Sequence, residues 1–418
     1  MLWMHRSISR FQVFAVIGLL AGITLSTSIE ASGLTLGMAE ELALESDPGV
    51  QAVEANKLAL EEKSVAADQL PDPLLKMGLV SLPTDTFNLG QEPMTQVQVG
   101  VIQKFPRGKS RALSSTQTFL KSEGLDEVVR DKELQIKLAV REQFLEVLKQ
   151  QELARINAEA IAAFSDVADI TEGYYATGLV QQQDVLQASV ELAKVEDRAT
   201  RIAQAEEQAR TRLATWIGDA AYSDLAPSWP QFTTSLSPVA TIDILLDHPR
   251  IRALQKNISA AETGVELARQ RYKPEFALDL TYGGRGGTNP DGSSRTDLLT
   301  FMVVMDIPLF TKNRQDRVVA AQVAESSAVT YIRDDILRRM QSEMEFHKAT
   351  YDKQRERIDR FENTLLPEAE FSSAASLEAY QSSIEDLTTV LRTRITEFDL
   401  QLEHVRLQAE VLKTQARL

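Results

Sequence analysis

The sequence predicts a mainly α-helical protein with a pair of membrane β-hairpins, written as a helix–strand–strand–helix unit that occurs twice. Three observations carry this: a self-match between the two halves, two pairs of short alternating strands, and long proline-free stretches with apolar seams. Hydrophobic residues make up 43% and aromatics 6% of the 418 residues, a balance that suits long packed helices better than a large aromatic core. The 60 Asp and Glu outweigh 45 Lys and Arg for a net charge of −15. That excess argues against nucleic acid as a partner, because neutralising phosphates needs a basic face. With no cysteine, these residues hold no disulfide, Cys-ligated zinc, thiol nucleophile or lipid-modified Cys.

Arg6 and Arg10 precede an apolar run over 11–25, and small residues follow at Ser26, Ser28, Ala31 and Gly33. A basic start, a short apolar core and a small-residue exit predict a signal peptide over 1–28, and so export. A membrane anchor helix is the alternative, but the run is short for a stable span. No later segment offers eighteen consecutive apolar residues, so any further membrane crossing has to be made by strands.

The duplication shows at a constant offset of 201, which pairs Leu44 with Leu245, Pro48 with Pro249, Ala52 with Ala253 and Asn56 with Asn257. The same register pairs Ala59 with Ala260, Glu61 with Glu262, Ala67 with Ala268, Gln69 with Gln270 and Pro73 with Pro274. Phe105-Pro106 then matches Ile307-Pro308 at offset 202, and Tyr175, Leu179 and Val185-Leu186 match Tyr380, Ile384 and Val390-Leu391 at offset 205. Such drift is what loop-length differences produce. Pro227, Pro230 and Pro238 with clustered Ser and Thr mark a linker over 221–240. The predicted organisation is a first repeat over 34–220 with its hairpin at 74–105, and a second over 241–418 with its hairpin at 276–307.

Within the first hairpin, residues 95–105 put Val97, Val99, Val101 and Phe105 on one face, and Gln96, Gln98 and Gly100 on the other; the partner strand is 74–80. In the second, Phe276, Leu278, Leu280 and Tyr282 alternate with Ala277, Asp279 and Thr281. The returning strand 298–307 aligns Leu299, Phe301, Val303, Met305 and Ile307. Strands of about ten residues, apolar outside and polar inside, are the pattern of an outer-membrane barrel. A hairpin half-buried on the protein's own helices would alternate in the same way. Export, duplication and an uncharged apolar face on each returning strand favour the membrane. Four strands cannot enclose a lumen, since single-chain barrels begin at about eight, so several chains would have to share one barrel.

From Arg107 to about Gly173 there is no proline, and a helix there would reach roughly 100 Å at ~1.5 Å per residue. Leu134, Leu138, Leu145 and Leu148 form one stripe on it; Ile136, Val140, Phe144 and Val147 form another, about 200° away. Two opposed seams predict a helix packed between two neighbours, as in a wall; one broad coiled-coil seam is the alternative.

Several segments in this order resemble the TolC family of outer-membrane efflux channels over essentially the whole chain after the signal. They are Leu34-Thr-Leu-Gly-Met-Ala39, Ser46-Asp-Pro48, Ile307-Pro-Leu-Phe310, Gly173-Tyr-Tyr-Ala-Thr-Gly-Leu-Val180 and Asp184-Val-Leu186. The resemblance implies a homotrimer whose protomers give four strands each to a twelve-stranded outer-membrane barrel, continued by a long α-helical barrel across the periplasm. It also implies a periplasmic adaptor protein and an inner-membrane RND-type pump as partners, and contact with outer-membrane lipid. Leu70-Pro-Asp-Pro73, Leu82-Pro83, Pro93-Met94-Thr95 and Val101-Ile-Gln-Lys-Phe-Pro106 look most like the branch paired with heavy-metal (Czc/Cus-type) RND cation efflux systems. The residues themselves show no metal site: His248, His347 and His404 are scattered. Met77, Met94, Met302 and Met305, near the strands, read as apolar filler. No cofactor is implied.

Helix-to-helix turns fall at 177–179 and 382–384, which the resemblance places at the periplasmic tip, where the tunnel narrows and the adaptor docks. Gly178, Leu179, Val180, Ser383 and Ile384 are the docking candidates. A carboxylate ring at a constriction concentrates cations and repels anions. Asp184 occupies the family's acidic position after the first turn; after the second, Thr389 and Arg392 stand where acids are expected, so Glu385 and Asp386 are the substitute gate candidates. Carboxylates at helix starts are equally expected from the helix dipole alone. An enzyme is not indicated: no nucleophile elbow, phosphate loop, H-E-x-x-H or Cys/His cluster is present. The function expected is the outer-membrane channel of a tripartite efflux system, passively conducting heavy-metal cations delivered by the pump and adaptor to the exterior. The outer-membrane channel of a protein or drug exporter, or a periplasmic coiled-coil adaptor or scaffold, are the alternatives.

Overall fold

The computed structural model describes residues 33–45, 47–232 and 241–418. The expected signal peptide, Ser46 of the second motif and the 233–240 part of the linker lie outside the described residues.

Each copy opens on two short helices, α1 (Leu36–Glu45) and α2 (Pro48–Ala67) in the first, α5 (Thr241–Asp247) and α6 (Pro249–Arg269) in the second. The duplicated proline sits at the first turn of α2 and of α6, where its missing N–H costs nothing. The residue before it caps the helix: Asp47 Oδ1 accepts from the Val50 N–H (2.9 Å) and His248 Nδ1 from the Arg250 N–H (3.2 Å).

Strands β1 (Leu74–Val80), β2 (Gln96–Phe105), β3 (Phe276–Gly284) and β4 (Leu298–Met305) form one antiparallel sheet in the order β1-β2-β3-β4. The two expected hairpins are thus joined by β2 and β3. Two rows of partners, Leu75–Val101–Leu280–Phe301 and Met77–Val99–Tyr282–Leu299, cover one face with exposed apolar side chains. On the other face Lys76, Gly100, Thr281 and Thr300 lie in one row. Lys76 Nζ crosses above Gly100 to Asp279 Oδ2 (2.9 Å) and Thr281 Oγ1 (3.4 Å). Gly100 is required there, since a Cβ would lie 2.4 Å from Thr281 Oγ1. Strand β4 stops at Met305, short of the expected 307, because Asp306 turns its carboxylate to Arg107 and to the Glu275 N–H (2.6 Å). Its other face is also apolar and exposed at Met302 and Val304.

Helix α3 (Ser110–Ala176) runs 67 residues without a break. A turn leads to α4 (Gln182–Ile217). The second copy covers the same length in three pieces: α7 (Gln315–Arg360), a π-helical turn (Phe361–Leu365) and α8 (Leu366–Gln381), followed by α9 (Leu387–Arg417). Pro367 explains the interruption: it has no N–H for the Asn363 carbonyl, so the ladder widens, with the Leu366 N–H donating to Phe361 O.

Toward the tip, one core joins Ile156, Phe164 and Val167 of α3 to Val195 of α4 and to Val390 and Phe398 of α9. Helix α3 therefore lies between two neighbours. Nearer the strands Ile136, Val140, Phe144 and Val147 pack on α1 and α4 in a second core. On the opposite stripe Leu145 and Leu148 are buried while Leu134 is exposed. By contrast, α7 buries only Gln315 and Ile358.

Residues 221–232, read from sequence as the start of a linker, are held against the helices. Leu34 and Leu225 form a parallel bridge, with the Leu34 N–H on Asp224 O (2.7 Å) and the Ala226 N–H on Leu34 O (3.0 Å). Arg141 donates to Glu40 Oε1 (2.7 Å) and stacks its guanidinium 5.4 Å from the Phe232 ring centre.

Candidate functional site

The chain reverses twice at the end of the helices far from the sheet. After α3, Gly178 adopts φ +78°, and the Gly178 and Leu179 N–H groups return to Tyr175 O (3.0 Å) and Tyr174 O (2.9 Å). After α8, Ser383 adopts φ +56°, and the Ser383 and Ile384 N–H groups return to Tyr380 O (2.9 Å) and Ala379 O (2.8 Å). Gly178 and Ser383 are partners at offset 205, so one turn has a glycine and the other a serine in the same left-handed conformation.

The next turn of chain caps α4 and α9 with opposite chemistry. Gln181 caps α4 in a capping box in which Asp184 Oδ2 accepts from the Gln181 N–H (2.9 Å). Asp386, at the position matching Gln181, caps α9 by accepting from the Thr389 N–H (2.8 Å). The carboxylate has moved three residues between copies, which is why Thr389 stands where an acid is expected. Hydrogen bonds from Thr389, together with the charge of Arg392, hold the Asp386 carboxyl below the usual range. Glu385 is half-buried and takes part in no ion pair among the described residues.

The structure brings the two turns side by side. Tyr174 and Tyr380 pair at 5.6 Å between ring centres, and the Tyr174 hydroxyl donates to Gln381 O (3.3 Å). Tyr380 is buried, its hydroxyl 3.4 Å from Thr171 Oγ1; burial and the nearby charge of Asp184 push its pKa up, with the Thr171 hydrogen bond opposing. A cavity of about 600 Å³ opens between the turns, walled by Ile170, Gly173, Tyr174, Thr177, Leu179 and Gln381. Leu179 and Ile384 project as apolar knobs, 67% and 81% exposed. Sequence reasoning missed the tyrosine pair. The repeat alignment matches Tyr175 with Tyr380, but the contact uses Tyr174 instead.

Among the described residues no group of three or more His, Asp or Glu could hold a metal. Met77 and Met305 lie on the two outer strands of the sheet, separated by β2 and β3. Nor is any described helix long and apolar enough to cross a membrane.

Comparison with known proteins defines the fold class. The outer membrane protein VceC of Vibrio cholerae superposes with a TM-score of 0.77 at 17% identity, covering 92% of this chain and 94% of that one. CusC, solved in a study of transmembrane channel formation, gives 0.76 at 14% identity over 92% and 90%. The fold is that of the TolC-type outer-membrane channels. In sequence, the chain is 23% identical over 301 residues to the pyoverdine export outer membrane protein OpmQ of Pseudomonas putida, a match spanning 67% of this chain and 60% of the relative's length. No protein-family model matches the chain.

Proposed function

We propose that this chain is the outer-membrane channel protomer of a tripartite efflux system. One observation carries the reading: a four-stranded sheet with one continuous apolar face and no strand paired beyond β1 or β4 among the described residues. A free sheet edge cannot persist in lipid, because its N–H and C=O groups have no water to bond. Pairing β4 of one copy with β1 of the next closes the sheet, and three copies give twelve strands with the Lys76, Asp279 and Thr281 face toward the lumen. The weakly buried α7 then finds its cover in the neighbouring copy. In this assembly the tips converge, with Gly178, Leu179, Val180, Ser383 and Ile384 offered to a periplasmic adaptor and Asp184, Glu385 and Asp386 lining the narrow end. An inner-membrane pump supplies the cargo, and the channel conducts it passively.

For the cargo we infer heavy-metal cations, from the sequence motifs and the acidic excess. A conduit needs no resident ligand set to pass them. A pyoverdine-type siderophore is the second reading, favoured by the name of the relative OpmQ.

The test is to extract the protein from outer membranes and measure oligomer mass and bilayer conductance. A trimer with stable conductance supports the proposal; a monomer without conductance overturns it. Deleting the gene then separates the cargoes. Metal sensitivity supports cation export, and loss of secreted siderophore with unchanged metal tolerance supports the second reading.

A further inference from the structure

Away from the tip, where strands give way to long helices, lies a cavity of about 470 Å³. Its polar lining includes Arg107, Arg271, Arg314, Glu275 and Gln270, and the first residues of α3 and α7, Ser110 and Gln315. Arg107 is already committed: it pairs with Asp306 and lies 3.7 Å from Glu275. Arg271 and Arg314 are exposed, and neither has a carboxylate within ion-pair distance among the described residues. Gln315 is only 7% exposed, and its Oε1 has no hydrogen-bond partner among the described residues. A buried amide oxygen left unpaired is costly, and at the wall of a cavity it marks a place for a donor from outside the chain. The Lys109 N–H at the start of α3 is taken by Gln270 Oε1 (3.1 Å) and the Asp316 N–H of α7 by Thr311 O (3.1 Å), and the positive ends of the two helices meet the same cavity.

The surroundings on the strand side are apolar. Phe105 and Phe276 stack at 5.1 Å, and Ile307, Leu309 and Phe310, which follow β4, are strongly exposed. A charged cavity therefore adjoins a collar of unpartnered apolar side chains.

The geometry points to a site for a phospholipid with a zwitterionic, phosphoethanolamine-type headgroup. Arg271 and Arg314 take the phosphate, with the positive ends of α3 and α7 adding to the field there. Glu275 and Gln315 Oε1 take the ammonium, and the acyl chains lie along the collar. An acid and an orphaned acceptor beside two free guanidiniums suit a headgroup with both charges better than a purely anionic one. Inorganic phosphate offers the same oxygens but nothing for the acceptors or the collar. The inference rests on the outer-membrane reading only for the side from which the lipid approaches.

Native mass spectrometry of the full-length protein, reconstituted with phosphatidylethanolamine, phosphatidylglycerol or inorganic phosphate, tests it. Wild type should retain phosphatidylethanolamine in preference to phosphatidylglycerol. The double variant R271Q/R314Q should lose at least tenfold of the retained lipid, while E275Q should reverse the preference between the two lipids. Equal retention by the double variant overturns the site. Binding of inorganic phosphate with the same arginine dependence, and no lipid retained, overturns the lipid assignment. Thermal unfolding of each variant checks folding. Conductance is a separate readout, so a chain that binds lipid without conducting would refute the channel and leave this site standing.

Discussion

Glu146 ties α3 to α9. It accepts from Lys149 (2.6 Å), Lys413 (2.7 Å) and the Gln150 amide (2.9 Å). Burial alone would raise its pKa, but the hydrogen bonds from Lys149, Lys413 and Gln150 prevail and lower it to about 2. Lys413 is correspondingly raised, burial opposing and Glu146 and Glu410 prevailing. A carboxyl depressed on folding stabilises above its ordinary pKa of 4.5, and that contribution is lost as pH falls toward 2. We expect E146Q to cost on the order of 2–3 kcal/mol at pH 7 and to flatten the loss of stability below pH ~4.5, read as denaturation midpoints across pH. At the tip, Ser383 holds a left-handed φ that glycine adopts freely. S383G should stabilise by about 1 kcal/mol and G178S should destabilise by a similar amount. Equal midpoints for both variants and wild type would remove the strain from the account.

At the scale of elements, alternation and proline-free length were legible because they are local. Val97, Val99 and Val101 announce a strand face, and the stretch after Arg107 announces a rod. The pairing of β2 with β3 was not legible, since it joins residues 171 to 187 positions apart and depends on a register that leaves Lys76 room to pass above Gly100. G100A tests that register: its Cβ would meet Thr281 Oγ1 at 2.4 Å and Leu280 O at 2.8 Å. We expect G100A to abolish assembled, heat-resistant oligomer in the outer-membrane fraction; wild-type yield would refute the fit. The π turn before α8 had its signal in Pro367, yet proline alone does not distinguish a widened turn from a helix end. The reversal of capping chemistry between Gln181/Asp184 and Asp386/Thr389 was half legible. The sequence shows the displaced acid, and only the backbone shows that both arrangements close the same kind of helix start. The junction cavity was hidden, because its arginines come from three separate segments that only the fold assembles.

For the whole molecule, the proposed assembly brings every tip to one constriction. Neutralising Glu385 and Asp386 together should then lower cation preference in single-channel recordings; unchanged selectivity would remove them from the gate. The matched reach of the two copies has a further consequence. Helix α3 is 67 residues long, and its counterpart reaches the same depth through α7, the π turn and α8. Removing four residues from one copy alone would retract its turn by about 6 Å, leaving alternate teeth of the rim short. A docking protein that grips all turns at once would lose every second hold. The two halves therefore act as paired rulers, and the depth to which such a channel reaches can be lengthened or shortened only by editing both in register.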